Sequence, residues 1–395
     1  MSMDGFCRVR TGTLFILLLT DVMFFNARWF ISSASGQPLI ESELSMATDS
    51  LGPHPFLINP ATYRPSTLEA AFCFLRRQYG NTLKQTINGN LREQENDSNQ
   101  SYLALAITAD VGSGLGVGFS HQIISQEEKN KMADRGLTEF IESYEARYSS
   151  ARAVVEITER VSLGFMMRFL DAEQKLVGNF FVDPDEITSF KPSLFGTGGG
   201  FHINMDQFQA GGAYLPPMKG NAEIYSEEKI ITSPGMMELS AAFSNQKYGV
   251  GIALRRWLYK QDDRPAGTTL DDGNQTPVNL LGLNADHNFL FPRDQQQIGV
   301  DYQISNTSTV KFSLAQNSSE FNPSPDEQLP GENESNKVIK YLIANLILGI
   351  NHKNMTFLMG LTKSLNKKIS FEERSRSTDY DGRKQNVLAG IQARL

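Results

Sequence analysis

Val387-Leu388-Ala389-Gly390-Ile391-Gln392-Ala393-Arg394-Leu395 alternates without a break. Val387, Ala389, Ile391, Ala393 and Leu395 fall on one face of an extended chain, and Leu388, Gly390, Gln392 and Arg394 fall on the other. Successive side chains of a strand point to opposite sides. An apolar face backed by a mostly small or polar one therefore suits a wall between lipid and a wet lumen. Placed at the C-terminus, such a strand predicts the closing seam of a barrel. Outer-membrane barrels commonly end on an aromatic residue, and Leu395 is a weaker form of that ending.

The same parity runs back through the chain. Val161, Leu163, Phe165, Met167 and Phe169 alternate with Ser162, Gly164, Met166 and Arg168, while Met237, Leu239, Ala241 and Phe243 alternate with Met236, Glu238, Ser240 and Ala242. Further strands are expected from Tyr102 to Ala109, Leu115 to Ile123, Ala153 to Glu159 and Tyr248 to Tyr259. Others are expected from Gln297 to Ile304, Thr309 to Ala315, Ile339 to Asn351 and Met355 to Leu365. The links come in two sizes. Asn245 to Lys247, Ser305 to Ser308 and His352 to Asn354 are short, whereas 125–150, 261–296, 317–337 and 366–384 are long and polar. Short periplasmic turns alternating with long external loops are how bacterial outer-membrane barrels are built. Ser193 to Pro216 fits two strands meeting near Asn204 to Asp206, and Leu68 to Ile87 reads as one ascending strand kinked at Gly80-Asn81. The fold class is then all-β: a single transmembrane antiparallel barrel of about 14 strands, with 12 as the fallback. Splitting the first strand would give an odd number and an external N-terminus, against the even-strand rule.

Composition agrees. Hydrophobic residues make up 40% of the 395, and no segment after the N-terminus approaches the roughly 20-residue apolar run of a membrane helix. The net charge is −7 with no basic stripe, which argues against a nucleic-acid partner. Of the two cysteines, Cys7 lies in a targeting segment and Cys73 inside an apolar strand, so no internal disulfide is expected. Arg8 and Arg10 precede the apolar run Thr13 to Leu19, and Ser33-Ala34-Ser35-Gly36 offers small residues for cleavage near Gln37. This predicts a signal peptide over 1–36, blemished by Asp21 and Arg28, then a short N-terminal segment over 37–67 and the barrel over 68–395.

Catalytic chemistry is not indicated, and neither a metal nor a cofactor is expected. His54, His121, His202, His287 and His352 lack metal-ligand spacing. Ser113 sits in Val111-Gly112-Ser113-Gly114, which reads as a tight turn rather than a nucleophile elbow, and no Lys-Ser/Thr follows the glycines 196–200. A serine and a histidine aligned on neighbouring strands stays open at this level. By parity, Glu156, Arg168, Glu238, Arg255, Asp301 and Lys311 all point away from lipid. Cross-strand pairing in the lumen is the favoured role for these charges, and reception of a substrate carboxylate is the alternative. Arg256 takes the lipid-facing register near the external end of its strand, where a lipopolysaccharide phosphate or simple snorkelling would suit it. Leu137, Phe140, Ile141 and Tyr144 have helical spacing, so a short amphipathic helix is expected within 125–150.

Asn59-Pro60-Ala61, just before the first strand, resembles the NPA motif of the long-chain fatty-acid transporter family, the FadL-like outer-membrane barrels. Gly196 to Phe201, Gly211 to Pro217 with Gly220, Pro234 ahead of the pair bearing Trp257, Gln297 to Tyr302 and Phe321 to Pro325 are similar to successive segments of that family, in its order. The likeness spans about Asn59 to Leu395. It implies a hatch ending in Asn59, Pro60 and Ala61, a monomer among outer-membrane lipid and lipopolysaccharide, and passive uptake of hydrophobic small molecules. The family's Gly- and Ala-rich hatch run is replaced here by Ser45 to Pro55. That departure keeps a second class open, a non-transporting outer-membrane scaffold or a partner of a secretion or surface apparatus. A soluble secreted all-β protein is the third.

Overall fold

A computed structural model describes residues 59–62, 68–87, 90–133, 137–178, 188–224, 227–232, 235–245, 247–258, 269–270, 290–321, 337–365, 368–373 and 376–394. The expected signal peptide and most of the 37–67 segment lie outside these residues. The first strands are β1 (Glu69–Ile87), β2 (Asn90–Gly112), β3 (Leu115–Ala133), β4 (Leu137–Thr158), β5 (Val161–Gly178) and β6 (Thr188–Met205). Next come β7 (Phe208–Leu215), β8 (Lys219–Ile224), β9 (Glu227–Thr232), β10 (Gly235–Ser244), β11 (Tyr248–Leu258) and β12 (Thr269–Leu270). The last are β13 (Leu290–Ser305), β14 (Ser308–Phe321), β15 (Lys337–His352), β16 (Met355–Leu365), β17 (Lys368–Glu373) and β18 (Arg376–Arg394).

Fourteen of these strands make one closed antiparallel wall, each paired to the next: β1 to β7 in sequence, then β10, β11, β13 to β16 and β18. The seam is β18 against β1, in register from Glu69↔Arg394 to Ile87↔Arg376. The short strands extend the wall at its far end: β8 pairs with β6, β9 with β8, β12 with β9 and β17 with β18.

Side-chain parity separates the two faces. On β11 the pattern alternates residue by residue, with Ile252 (54% exposed) and Leu254 (56%) outward and Ala253, Arg255 and Trp257 buried. Phe72, Phe74, Leu105, Phe165, Phe312, Met359 and Ile391 belong to the same outward apolar band. A band of this kind wrapped around a closed sheet is what a hydrocarbon environment selects.

One end of the barrel carries the tight turns, and β1 begins and β18 ends there. Gly112 (φ 92°), Ser113 (φ 54°) and Gly114 (φ 76°) form one of them, and the left-handed backbone explains the glycines. Side chains close others. Asn245 Oδ1 accepts from the backbone N–H groups of Lys247 (2.8 Å) and Tyr248 (3.0 Å), and Thr158 Oγ1 accepts from Arg160 and Val161. The strand ends that flank 179–187, 259–289 and 322–336 all lie at the opposite end.

The helix expected within 125–150 is absent from the described residues. β3 and β4 instead pair directly from Leu115↔Val155 to Ala133↔Leu137. Apolar spacing over so short a window fits a helix by coincidence, whereas long neighbours on both sides satisfy the backbone groups of nearly all of it as a ladder. The expected limits of β2 were short for the same reason. It spans 23 residues, roughly 75 Å of strand, well past the 9–11 or so needed to cross a bilayer.

Candidate functional site: the barrel interior

Asn59, Pro60 and Ala61 are fully or nearly fully buried against the inner wall. Asn59 Nδ2 donates to the Phe201 carbonyl on β6 (2.8 Å), while its Oδ1 accepts from the Ala61 N–H (2.9 Å) and its own carbonyl accepts from Thr62 Oγ1 (2.7 Å). The loop is thus folded by its own asparagine and tied to the wall by the same side chain. Two glycines directly opposed on β5 and β6 make the seat. A Cβ on Gly164 would lie 2.4 Å from the Pro60 carbonyl carbon and the Ala61 nitrogen, and one on Gly200 would lie 2.1 Å from Asn59 Oδ1. Glycine at both positions is a steric requirement of the docked loop.

Next to this seat the wall is interrupted. β7 stops at Leu215 and β8 starts at Lys219, while across from them β9 stops at Thr232 and β10 starts at Gly235. Pro216 and Pro217 have no N–H to give a ladder, which explains the break. On β6 the pairing passes from Phe195↔Lys219 to Gly199↔Tyr214 and skips the three residues between. Arg168 on β5 fills that gap: its guanidinium donates to the Thr197 carbonyl (2.9 Å) and to the Pro216 carbonyl. Its path is open because residue 196 is glycine. A Cβ there would sit 3.2 Å from Arg168 Nη2 and 2.5 Å from Met218 Cγ, and Met218 itself is buried in the interior.

A polar ladder runs on from the far side of the break, across β10 to β15. Glu238 (β10), Arg255 (β11), Gln295 (β13), Asn317 (β14) and Tyr341 (β15) are successive register partners, all pointing inward and buried. Arg255 forms an ion pair with Glu238 and donates to Gln295 Oε1. Gln295 Nε2 donates to Asn317 Oδ1 (2.9 Å), and Asn317 Nδ2 reaches the Tyr341 hydroxyl (3.4 Å). Charge-assisted bonds of this kind are among the stronger ones where water is excluded. Lys311 and Asp301 face each other across β14 and β13, with Lys311 buried, and Glu156 lies apart, half-buried near the tight-turn end beside Gly114. The six expected lumen charges therefore divide into the Glu238–Arg255 pair, the facing Asp301 and Lys311, and two separate residues, one of which holds the wall break.

Between these polar zones runs an apolar stripe. Ile347 (β15), Leu388 (β18), Leu75 (β1), Tyr102 (β2), Ile124 (β3) and Ala146 (β4) form one buried cluster, joined by Cys73 and Ala104. Register continues it from strand to strand: Leu388↔Leu75↔Tyr102↔Ile124↔Ala146. Gly360 on β16 bridges Ile347 to Leu388, since a Cβ there would be 3.5 Å from Ile347 Cγ1 and 3.2 Å from Leu388 Cβ. Arg77, 1% exposed, caps the stripe with its guanidinium carbon 5.7 Å from the centre of the Tyr102 ring. Nothing in the sequence alone singles out Arg77, Gln295, Asn317 or Tyr341. Their inward parity was visible, but which of them meet is set by register.

A histidine and a serine do align on neighbouring strands. His121 Nδ1 and Ser149 Oγ lie 2.9 Å apart, directly opposed across β3 and β4. They take the outward register, and Arg147 shares their face. Among the described residues no group of three His, Cys, Asp or Glu side chains could hold a metal ion.

No family model matches the sequence, and no curated protein matches it. Solved structures do share the fold. A FadL homologue from Pseudomonas aeruginosa superposes with a TM-score of 0.59 at 10% identity, covering 92% of this chain and 98% of that one. The toluene transporter TodX of Pseudomonas putida gives 0.55 at 12% identity, covering 92% and 98%. The toluene transporter TbuX of Ralstonia pickettii gives 0.51 at 10% identity, covering 92% and 100%. The chain resembles the FadL-like barrels over nearly its whole length in fold, with little sequence in common.

Proposed function

We propose that this chain is an outer-membrane barrel for the passive uptake of hydrophobic small molecules, acting as a monomer, with residues 37–67 as a plug held at its base by Asn59-Pro60-Ala61. The observation that carries the reading is the inward apolar stripe from Ile347 through Leu75 to Ala146. A pore for polar solutes is lined by polar side chains, so an apolar strip on the inner wall suits an apolar passenger. The outward apolar band supports the membrane setting, and the closure of the wall at the β1–β18 seam supports a single-chain barrel. The solved structures that share the fold include transporters named for toluene, which belongs to the same ligand class.

A second reading, a closed scaffold without transport, is favoured by the buried Glu238–Arg255–Gln295–Asn317–Tyr341 ladder, which ties the inner surface together. Reconstitution into lipid vesicles separates the two. Labelled toluene or a labelled long-chain fatty acid should equilibrate faster with the barrel present than in protein-free vesicles, while a sugar of similar size should not. Equal rates for the apolar probe with and without protein would leave the scaffold reading standing.

A further inference from the structure

The outer wall carries a groove at the height where its apolar band ends. It spans β10, β11, β13, β14 and β15 and has a volume of about 430 Å³. Its lower part is apolar, made by Met237, Leu239 and Leu254, all outward and exposed. Its upper part is polar: Arg256, Asp294, Gln296, Gln316, Ser318 and Lys340. Three of these strands change character here. Ile252 and Leu254 are followed upward by Arg256 on β11, Val300 and Ile298 by Gln296 and Asp294 on β13, and Leu346 by Lys340 on β15. Arg256 donates through Nε to Asp294 Oδ1 (2.6 Å) yet keeps 63% of its side chain exposed, and Lys340 is exposed at the same rim.

We propose that this groove binds a phosphate-bearing acyl lipid of the surrounding leaflet, with the phosphate between Arg256 and Lys340 and an acyl chain against Met237, Leu239 and Leu254. The occupant follows from the gradient. A concavity apolar below and cationic above, on a face turned to the bilayer, matches an amphiphile whose anionic head lies at the interface and whose chain lies in the hydrocarbon. Asp294 orients Arg256, and two cations around one carboxylate leave the rim net positive. Arg147 on β4 is also an exposed outward cation, but it does not line the groove, so it serves as a control for surface charge alone.

The test uses the full chain refolded in detergent micelles, with native mass spectrometry counting retained lipid. The probes are diphosphoryl lipid A and its dephosphorylated counterpart. The unsubstituted chain should retain diphosphoryl lipid A, and retention should fall at least tenfold in the Arg256→Ala, Lys340→Ala double variant. Arg147→Ala should leave it unchanged. Heat-modifiable gel mobility, retained in all three proteins, shows that the barrel is folded. The proposal is overturned if the unsubstituted chain retains none, if the dephosphorylated lipid is held equally well, or if Arg147→Ala lowers retention as much as the double variant. Displacement by inorganic phosphate alone would reveal a free-anion site and overturn the lipid as occupant.

Discussion

Single residues decide how the interior closes. Gly164 and Gly200 exist for the loop they face, since any side chain at either position collides with backbone or side-chain atoms of Asn59 to Ala61. Gly164→Ala should therefore lower stability in urea by about 1–3 kcal/mol, the usual cost of forced overpacking. Gly199→Ala is the control, because a Cβ there meets nothing closer than the Gly164 carbonyl at 3.5 Å. Equal losses from both would mean that the loop does not sit in this seat. The Glu238–Arg255 pair makes a second test at this scale. Glu238→Ala leaves a buried guanidinium beside an apolar methyl and should cost about 3–5 kcal/mol, whereas joint replacement by Glu238→Leu and Arg255→Met should cost much less. A double change as damaging as the single one would show that the pair itself, rather than its uncompensated charge, governs stability. The inward register of both residues was legible in the sequence. Their pairing was not, because a parity pattern says which face a residue takes and nothing about how far the next strand is shifted.

At the level of elements, alternation located the apolar part of most strands but left 125–150 and 366–384 as loops, where β3, β4, β17 and β18 run, and the even count followed from the even-strand rule. The wall break was only half visible. Pro216-Pro217 announces an interruption, but its repair by Arg168, a residue 48 positions earlier, depends on β5 and β6 lying side by side with Gly196 between. Arg168→Met should strand the Thr197 and Pro216 carbonyls, each at about 1–3 kcal/mol for an unmet buried acceptor. The change should appear as faster amide exchange over 208–224, with exchange in β1 and β18 unaltered. Uniform acceleration around the whole wall would indicate global loosening instead of a local pin. The outward band gives the complementary test. Ile252→Arg should destabilise the barrel in vesicles by about 2–4 kcal/mol if it lies near the bilayer midplane. Tolerance of Arg at Ile252 equal to that at the exposed turn residue Lys353 would argue against lipid contact.

For the whole molecule, the long strands exceed the roughly 9–11 residues that cross a bilayer, so on the proposed function the wall continues as a sleeve on the side away from the tight turns. The polar sequences of β2 and β3 concealed this, since strands standing in water need no apolar face and carry no parity signal. Whether the sleeve leads to an open or a closed passage is decided at the base, where Asn59-Pro60-Ala61 docks beside the wall break. On the proposed function the residues before Asn59 continue as a plug, with Leu51, Phe56, Leu57 and Ile58 as its apolar content and Pro60 and Pro65 stiffening its approach to β1. Deleting Gln37 to Ile58 removes that content but keeps the anchor and every strand of the wall. The shortened chain should insert, keep its heat-modifiable mobility and pass more current in planar bilayers than the full chain. Apolar solutes should gain less than ions, because the inner stripe that suits them is present in both proteins. If conductance stays unchanged with the barrel still folded, the lumen is shut by its own side chains: the Arg255 ladder, the Arg168 pin and the Tyr102 stripe would together form a solid core, and the scaffold reading would replace the channel.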